Sequence, residues 1–361
     1  MQAQLLDIKK PKVLQFYSSN SFIIMNNRLL QISGSPHVHS GESVKKIMWA
    51  VIFALVPAFL VSIYFFGLPV IMITAVSIGS CMLFEYLIQR FLLKGESTIG
   101  NASAILTGLL LAFNLPSSLP LHWVVIGSLF AIGVGKMAFG GLGNNPFNPA
   151  LLGRVFLLIS RPVDMTTWPK ASPIWNLGAD MVSGPTPLGI LKEAASTAHK
   201  PGMLTDNVLD HATTTLPKYA DMLFGNMGGS FGEVSAIALL IGAGFLFYKK
   251  ILTWHVPVSF ILSAFVFAWI LNMVNPGYYV NPFFHLVTGG LILGAFYMAT
   301  DMVTSPVSPV GMIIFGVGCG ILTILIRVFG SYPEGVSFAI LLMNAVTPLI
   351  NKGFKPKRFG N

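Results

Sequence analysis

Ten stretches of apolar residues constrain this chain more than any other feature. They run over 46–66, 69–91, 100–115, 120–139, 148–160, 232–248, 253–273, 283–299, 310–329 and 334–350. Several approach the ~20 residues needed to cross a hydrocarbon layer. In lipid every backbone polar group must be satisfied internally, which apolar runs of this length achieve as helices. The expected class is therefore an all-α polytopic membrane protein with about ten transmembrane helices. Composition agrees, with 54% hydrophobic and only 10% charged residues, where a soluble domain carries about 25% charged. Too few charges remain to coat a water-facing surface, which excludes an ordinary cytosolic globule. The third and fifth segments are short, and Gly, Pro and Asn crowd their flanks. Broken spans of this kind are tolerated where protein or a cavity covers the backbone.

The net charge of +9 would point to nucleic acid in a soluble protein. Here the basic residues sit at the ends of apolar segments, so the expected partner is the lipid bilayer and not nucleic acid. Lys9, Lys10, Lys12, Arg28, Lys45 and Lys46 precede the first segment, and Lys352, Lys355, Lys357 and Arg358 follow the last. Both termini read as cytoplasmic, which requires an even number of spans. Arg90 and Lys94, Lys136, and Lys249 and Lys250 fall on the same side, while the uncharged loops 116–121 and 274–282 fall outside. Arg327 is the exception, with Glu334 as its expected partner.

Five regions follow. Residues 1–45 form a cytoplasmic tail, 46–160 a first transmembrane half, 161–231 an extracytoplasmic loop, 232–350 a second half and 351–361 a basic cytoplasmic tail. The loop is about 70 residues long and carries 11 of the 35 charged residues. Loops of this length are usually functional or disordered, and they translocate largely regardless of charge. Five spans on each side is an odd number, so two similar halves would be inverted. Thr107-Gly108-Leu109-Leu110 echoes Thr288-Gly289-Gly290-Leu291, and Gly143-Asn144-Asn145-Pro146 echoes Gly330-Ser331-Tyr332-Pro333. Two inverted five-helix repeats with a site at their interface are expected.

Glu85, Lys136, Arg154, Asp301 and Arg327 lie in or beside the spans. Such charges face a polar cavity or a partner, or lie at the interface and snorkel. Snorkelling suits Lys136 and Arg327, and Glu85 stands close enough to Arg90 to reach the headgroups. Glu85 and Asp301 are candidates for an ion path. His37 and His39 read as a solvated cap and His255 and His285 as interfacial anchors. Trp49, Trp123, Trp168, Trp175 and Trp254 mark an aromatic belt. Cys81 and Cys319 read as buried structural thiols, with no metal site expected. No Walker loop, nucleophile elbow, His-Glu-x-x-His or Cys-x-x-Cys occurs, so no catalytic residue can be named. The run Gly140–Pro149 reads either as a tight connection or as a backbone-lined part of a pathway. In the long loop, Asp180-Met181-Val182-Ser183-Gly184-Pro185-Thr186-Pro187-Leu188 holds Thr186 between prolines, out of regular helix and exposed. Its hydroxyl is able to accept a phosphoryl group, although spacing alone would make this a turn.

Asp180-x-x-Ser183-Gly184-Pro185-Thr186 resembles the Asp-x-x-Ser/Thr-Gly-Ala-Thr flavinylation motif of the NqrB/RnfD family. Residues 140–160, Ser35-Pro36-His37-Val38-His39 and Ser331-Tyr332-Pro333-Glu334-Gly335 resemble it too. The resemblance spans about residues 33–360, and the short N-terminal tail suits the RnfD branch. It implies a membrane subunit of the Rnf ion-translocating electron-transport complex in the bacterial inner membrane. That complex couples electron flow between ferredoxin and NAD to movement of Na⁺ or H⁺. Thr186 would carry FMN as a phosphoester, attached outside the cytoplasm by a flavin transferase that recognises Asp180, Ser183 and Gly184. The flavin loop would be periplasmic. A second, non-covalent flavin such as riboflavin is implied, as are partner subunits A, B, C, E and G. Pro185 departs from the usual alanine. Residues 1–24 lie outside the resemblance, with Met25 an alternative start and the preceding residues expected to be disordered. Two other readings remain: a solute channel or transporter without a redox role, and a structural subunit whose Thr186 motif is vestigial.

Overall fold

The computed structural model describes residues 22–25, 28–31, 43–94, 98–171, 183–198, 216–276 and 278–355. Residues 1–43 and 44–361 form two separate units. In the first, β1 (Phe22–Met25) pairs antiparallel with β2 (Arg28–Gln31), Phe22 opposite Gln31 and Met25 opposite Arg28. The two strands lie within the region expected from the sequence to be a tail. β1 is apolar throughout, and β2 carries Leu29 and Leu30 between Arg28 and Gln31. His37 and His39 lie outside the described residues, as do Trp175 and Asp180.

The second unit is helical. In chain order it holds α1 (Val44–Phe66), α2 (Leu68–Leu87, prolonged by a wide turn to Leu92), α3 (Ser103–Phe113), α4 (Leu121–Gly133) and α5 (Pro149–Ser160). Then follow α6 (Pro162–Thr166), β3 (Trp168–Pro169), β4 (Ser183–Gly184), α7 (Pro187–Ala198) and α8 (Tyr219–Phe224). The last elements are α9 (Ala236–Tyr248), α10 (His255–Val274), α11 (Pro282–Val287), α12 (Leu291–Leu293, prolonged to Met298), α13 (Pro309–Phe329) and α14 (Val336–Gly353).

Among the described residues six helices are long and apolar enough to cross a membrane: 44–66, 68–92, 121–139, 255–274, 309–329 and 336–353. Three of the expected spans are shorter, at Ser103–Phe113, Pro149–Ser160 and Ala236–Tyr248. The remaining one breaks into α11 and α12 at Thr288-Gly289-Gly290, where φ is +63° at Gly289 and +68° at Gly290. A Cβ at Gly290 would run into the Glu233 carboxylate, so the break requires glycine there. Apolar side chains such as Phe53, Leu60, Leu262 and Trp269 point outward, as a lipid-facing surface requires.

The starts of the short and late helices are written locally. Asn148 caps α5 by accepting from the Ala150 and Leu151 amides at 3.1 and 3.3 Å, ahead of Pro149. Ser308 does the same for α13, accepting from Gly311 at 3.1 Å ahead of Pro309, and Asn281 for α11 ahead of Pro282. Side-chain acceptors followed by proline at the first helical position are a standard start.

One packing scheme occurs twice. In the first half α2 packs on α3 and α4, α4 on α5, and α1 on α3. In the second α10 packs on α11 and α13, α13 on α14, and α9 on α12. Across the halves α1 packs on α9 and α5 on α14. The two sequence echoes fare differently. Pro146 and Pro333 each stand three residues before a helix start, at Pro149 and Val336. Thr107-Gly108 lies inside continuous α3, whereas Thr288-Gly289 forms the break, so that echo has no shared conformation.

The α10–α13 contact explains its small residues. A Cβ at Gly316 would collide with Ser259 and the Val256 carbonyl, and one at Gly320 with Ser263 and the Phe260 carbonyl. Small residues four apart on both helices let the backbones approach closely. The serine hydroxyls cause no polar penalty, since Ser259 donates to His255 O at 2.6 Å and Ser263 to Phe260 O at 3.0 Å. Gly316→Leu is expected to destabilise the protein by at least the ~1–3 kcal/mol of an overpacked core, read as a lower unfolding temperature in detergent.

Candidate functional site

The residues around Thr186 are ordered by their own local signals. β4 pairs with β3, Ser183 opposite Pro169 and Gly184 opposite Trp168, so these two residues sit on a short paired segment. The Lys170 side chain covers Gly184 closely enough that a Cβ would meet it at 2.8 Å. Thr186 then caps α7. Its Oγ1 accepts from the Gly189 amide at 3.0 Å, and its carbonyl accepts from the Ile190 amide at 2.9 Å. Pro187 opens the helix where no amide donor is needed. Thr186 is thus outside the helix interior, as expected. It is not exposed, however: its accessibility is 6%. The cap turns the side chain inward, into a cleft of about 280 Å³ shared with Gly229, Ser230, Glu233, Gly289 and Glu334.

A buried charge cluster forms one wall of that cleft. Arg154 of α5 pairs with Glu334 just before α14 and lies 3.5 Å from Glu233 ahead of α9. It also donates to Ser337 Oγ at 2.6 Å and to Asn114 Oδ1 at 3.1 Å. Arg327 of α13 donates to His285 O at 2.6 Å, Thr288 O at 2.9 Å and Gly289 O at 2.8 Å. Its guanidinium therefore closes the carbonyl end of α11 at the break. This corrects two expectations. Arg327 is buried and does not snorkel, and Glu334 pairs with Arg154. His285 is also buried, so it is no interfacial anchor.

A second cluster lies at the other end of α3, about 16 Å from the first by helix rise. Lys136 Nζ is 2.5 Å from Glu85 Oε2 and donates to Ser103 Oγ at 2.7 Å. Thr98 Oγ1 donates to Glu85 Oε1 at 2.6 Å. Lys136 is 1% and Glu85 0% accessible, so neither reaches the headgroups as expected for them. A larger cleft of about 900 Å³ opens here, lined by Ser103, Lys136, Asn145, Asn148, Tyr297 and Asp301. Asp301 is held by the Val303 amide and the Thr304 hydroxyl at 3.4 and 3.3 Å. The Gly140–Pro149 run therefore contributes side chains to a cavity wall. Cys81 and Cys319 are buried and unbridged. Trp168, in β3, is buried and leaves the aromatic belt, whereas Trp49 and Trp254 remain exposed.

The candidate residues thus separate into two groups. Thr186, Glu233 and Glu334 share one cleft, while Lys136 and Asp301 share the other with Glu85 behind Lys136. Sequence reasoning misses Glu233, which lies six residues after Met227 in a glycine-rich stretch with no motif; only its place at the edge of an apolar run marks it.

Buried ion clusters at both ends of a helical bundle, each beside an open cleft, define a multi-pass membrane protein with a charged interior. The chain belongs to the NQR2, RnfD, RnfE family, whose model matches residues 31–360. It is 43% identical over 336 residues to the D subunit of the proton-translocating ferredoxin:NAD(+) oxidoreductase complex of Clostridium ljungdahlii, covering 93% of this chain and 98% of that one. It is 42% identical over 338 residues to the Na(+)-translocating counterpart of Acetobacterium woodii, covering 93% and 97%. It is 38% identical to the D subunit of the ion-translocating oxidoreductase complex of Stutzerimonas stutzeri, covering 88% and 93%.

Removing one partner of a buried pair leaves an uncompensated charge and costs about 3–5 kcal/mol. Lys136→Met is expected to lower stability by that order, and Glu85→Gln/Lys136→Met to recover most of it. Thermal unfolding in detergent compares the two.

Proposed function

We infer that this chain relays electrons through FMN esterified to Thr186, within an ion-translocating oxidoreductase complex of the ferredoxin:NAD type. Family membership and near full-length similarity support the role of a membrane subunit of such an enzyme. The observation that carries the flavin reading is the Thr186 hydroxyl at the amino end of α7, with the Gly189 amide directed at its oxygen.

The residues fit a phosphoester. A helix amino end favours negative charge through its free amides and dipole, and α7 is 12 residues long. Glu233 and Glu334 line the same cleft, but Arg154 lies against both carboxylates and limits their repulsion. Pro185 precedes the cap, where the helix needs no amide donor, so it is compatible with this geometry. FMN would supply the one- and two-electron chemistry, and the protein its position and electrostatics. Because Thr186 is nearly enclosed, attachment by a flavin transferase would precede closure of the cleft. Ser183 and Gly184 on β4, with Asp180 outside the described residues, would form the recognition segment.

The larger cleft suits the second, non-covalent flavin. Its lining mixes apolar surface with a few polar groups, Lys136, Asn145 and Asn148 among them, as small-molecule sites do. For ion movement Asp301 is favoured over Glu85, since Glu85 is already neutralised by Lys136 while Asp301 faces the cleft. The twice-used packing scheme supports ten spanning segments in two inverted repeats, three of them short and one broken. With the basic-residue bias this orients both termini to the cytoplasm and residues 161–231 to the periplasm of a bacterial inner membrane. Subunits A, B, C, E and G and the transferase would be the partners. The competing reading, a solute transporter without a redox role, draws on the same two clefts.

Intact-mass analysis after co-expression with the transferase should show one added FMN in the wild type and none in Thr186→Ala. A wild-type mass without the adduct would overturn the flavin reading.

A further inference from the structure

Beside the Thr186 cleft lies another, of about 540 Å³, which nothing in the electron-relay reading uses. It is lined by Leu188 and Lys192 of α7, Tyr278 and Tyr279 between α10 and α11, His285 of α11 and Arg327 of α13. Leu188 lines both clefts. A Cβ at Gly289 would collide with Leu188 and approach Arg327 Nη2 at 3.0 Å, so only a thin wall separates them.

The cleft is built and its polar groups are not all satisfied. The Tyr278 and Tyr279 amides both donate to Asn275 O, at 3.2 and 3.0 Å, and Asn272 Nδ2 donates to Tyr279 O at 2.7 Å. These bonds hold the main chain of the turn, on which the two rings stand nearly at right angles with centroids 4.9 Å apart. Lys192 reaches across to the Gly330 carbonyl at the end of α13, and burial pulls its ammonium below the ordinary lysine value. His285 is more than nine-tenths buried, yet its Nδ1 has no hydrogen-bond partner, and neither has Arg327 Nε. Aromatic faces, two cations and an unpaired imidazole nitrogen together suit a planar ring with acceptor atoms along one edge, one that gains negative charge on reduction.

We propose that this cleft docks the isoalloxazine ring of the flavin carried on Thr186, with Tyr278 and Tyr279 as its aromatic wall and Lys192, Arg327 and His285 facing its pyrimidine edge. The assignment rests on the Thr186 reading and adds where the ring lies and what tunes it. Lys192 stands six residues beyond Thr186 on the same helix, about 9 Å along its axis, a distance for the ribityl chain to bridge around Leu188. Cations beside the pyrimidine edge stabilise the reduced, negatively charged ring and raise its potential.

The test uses the complex co-expressed with the transferase, with the covalent signal taken as the difference from Thr186→Ala. In Lys192→Gln the mass adduct should remain, while the reduction equilibrium shifts about tenfold toward the oxidised flavin, about 30 mV for a two-electron couple. Lys192→Arg, which keeps the charge, should leave the potential near wild type. Tyr279→Leu should keep the adduct and raise flavin fluorescence, because a quenching ring is removed. An intact adduct with unchanged potential in Lys192→Gln and unchanged fluorescence in Tyr279→Leu overturns the ring site alone. A wild-type protein without adduct overturns the Thr186 reading together with it.

Discussion

A guanidinium almost wholly withdrawn from water organises the centre of this protein. Arg154 comes from α5 in the first half, and its carboxylate partners come from the approaches to α9 and α14 in the second. Charge in so dry a place is tolerable only when paired and fully hydrogen-bonded. The two acids, with Ser337 and Asn114, pair both terminal nitrogens, leaving only Nε without a partner, and bring four segments to one point. The α5–α14 contact between halves is thereby fixed in register as well as in proximity. The Thr186 cleft inherits one wall from this arrangement, so the geometry of the loop site depends on the bundle beneath it.

The third span of each half is where the fold departs from simple helices, and each departure is met by a cation from the fourth span. Lys136 bonds to Ser103 at the start of α3, just after Ala102 at φ +60°. Arg327 bonds to the carbonyls at the end of α11, just before Gly290 at φ +68°. A break in a span exposes backbone groups that lipid cannot satisfy. At the second break Arg327 supplies the partners directly, whereas at the first Lys136 bonds the Ser103 hydroxyl and Glu85, and polar clefts lie beside both. This explains why short, Gly-rich segments and buried charges occur in the same places.

The site around α7 shows how much a cap decides. A threonine between two prolines reads as displayed, because neither proline continues a regular structure. In the fold the same prolines set a helix start, and the hydroxyl becomes the acceptor for the first turn. Capping turns the oxygen toward the amide donors, and those donors face the bundle. The hydroxyl oxygen therefore lies at a helix amino end at the same time as it is withdrawn from solvent.

Hydropathy alone determined the class of this protein, since long apolar runs have few solutions in lipid. All six long helices match the sequence segments within about three residues at each end, because helix length in a bilayer is set locally. The Thr186 motif was equally legible as a string of residue types. Which charges meet was not: Arg154 and Glu334 are 180 residues apart, and Glu85 and Lys136 are 51 apart. Proximity to Arg90 or Arg327 in sequence pointed to the wrong environments for both acids. Nor did the sequence reveal that Thr288-Gly289-Gly290 interrupts a span, since an apolar run containing glycines scores like an unbroken one. Partner choice among buried charges depends on which helices pack, and packing is a long-range property of side-chain shape that only the tertiary structure decides.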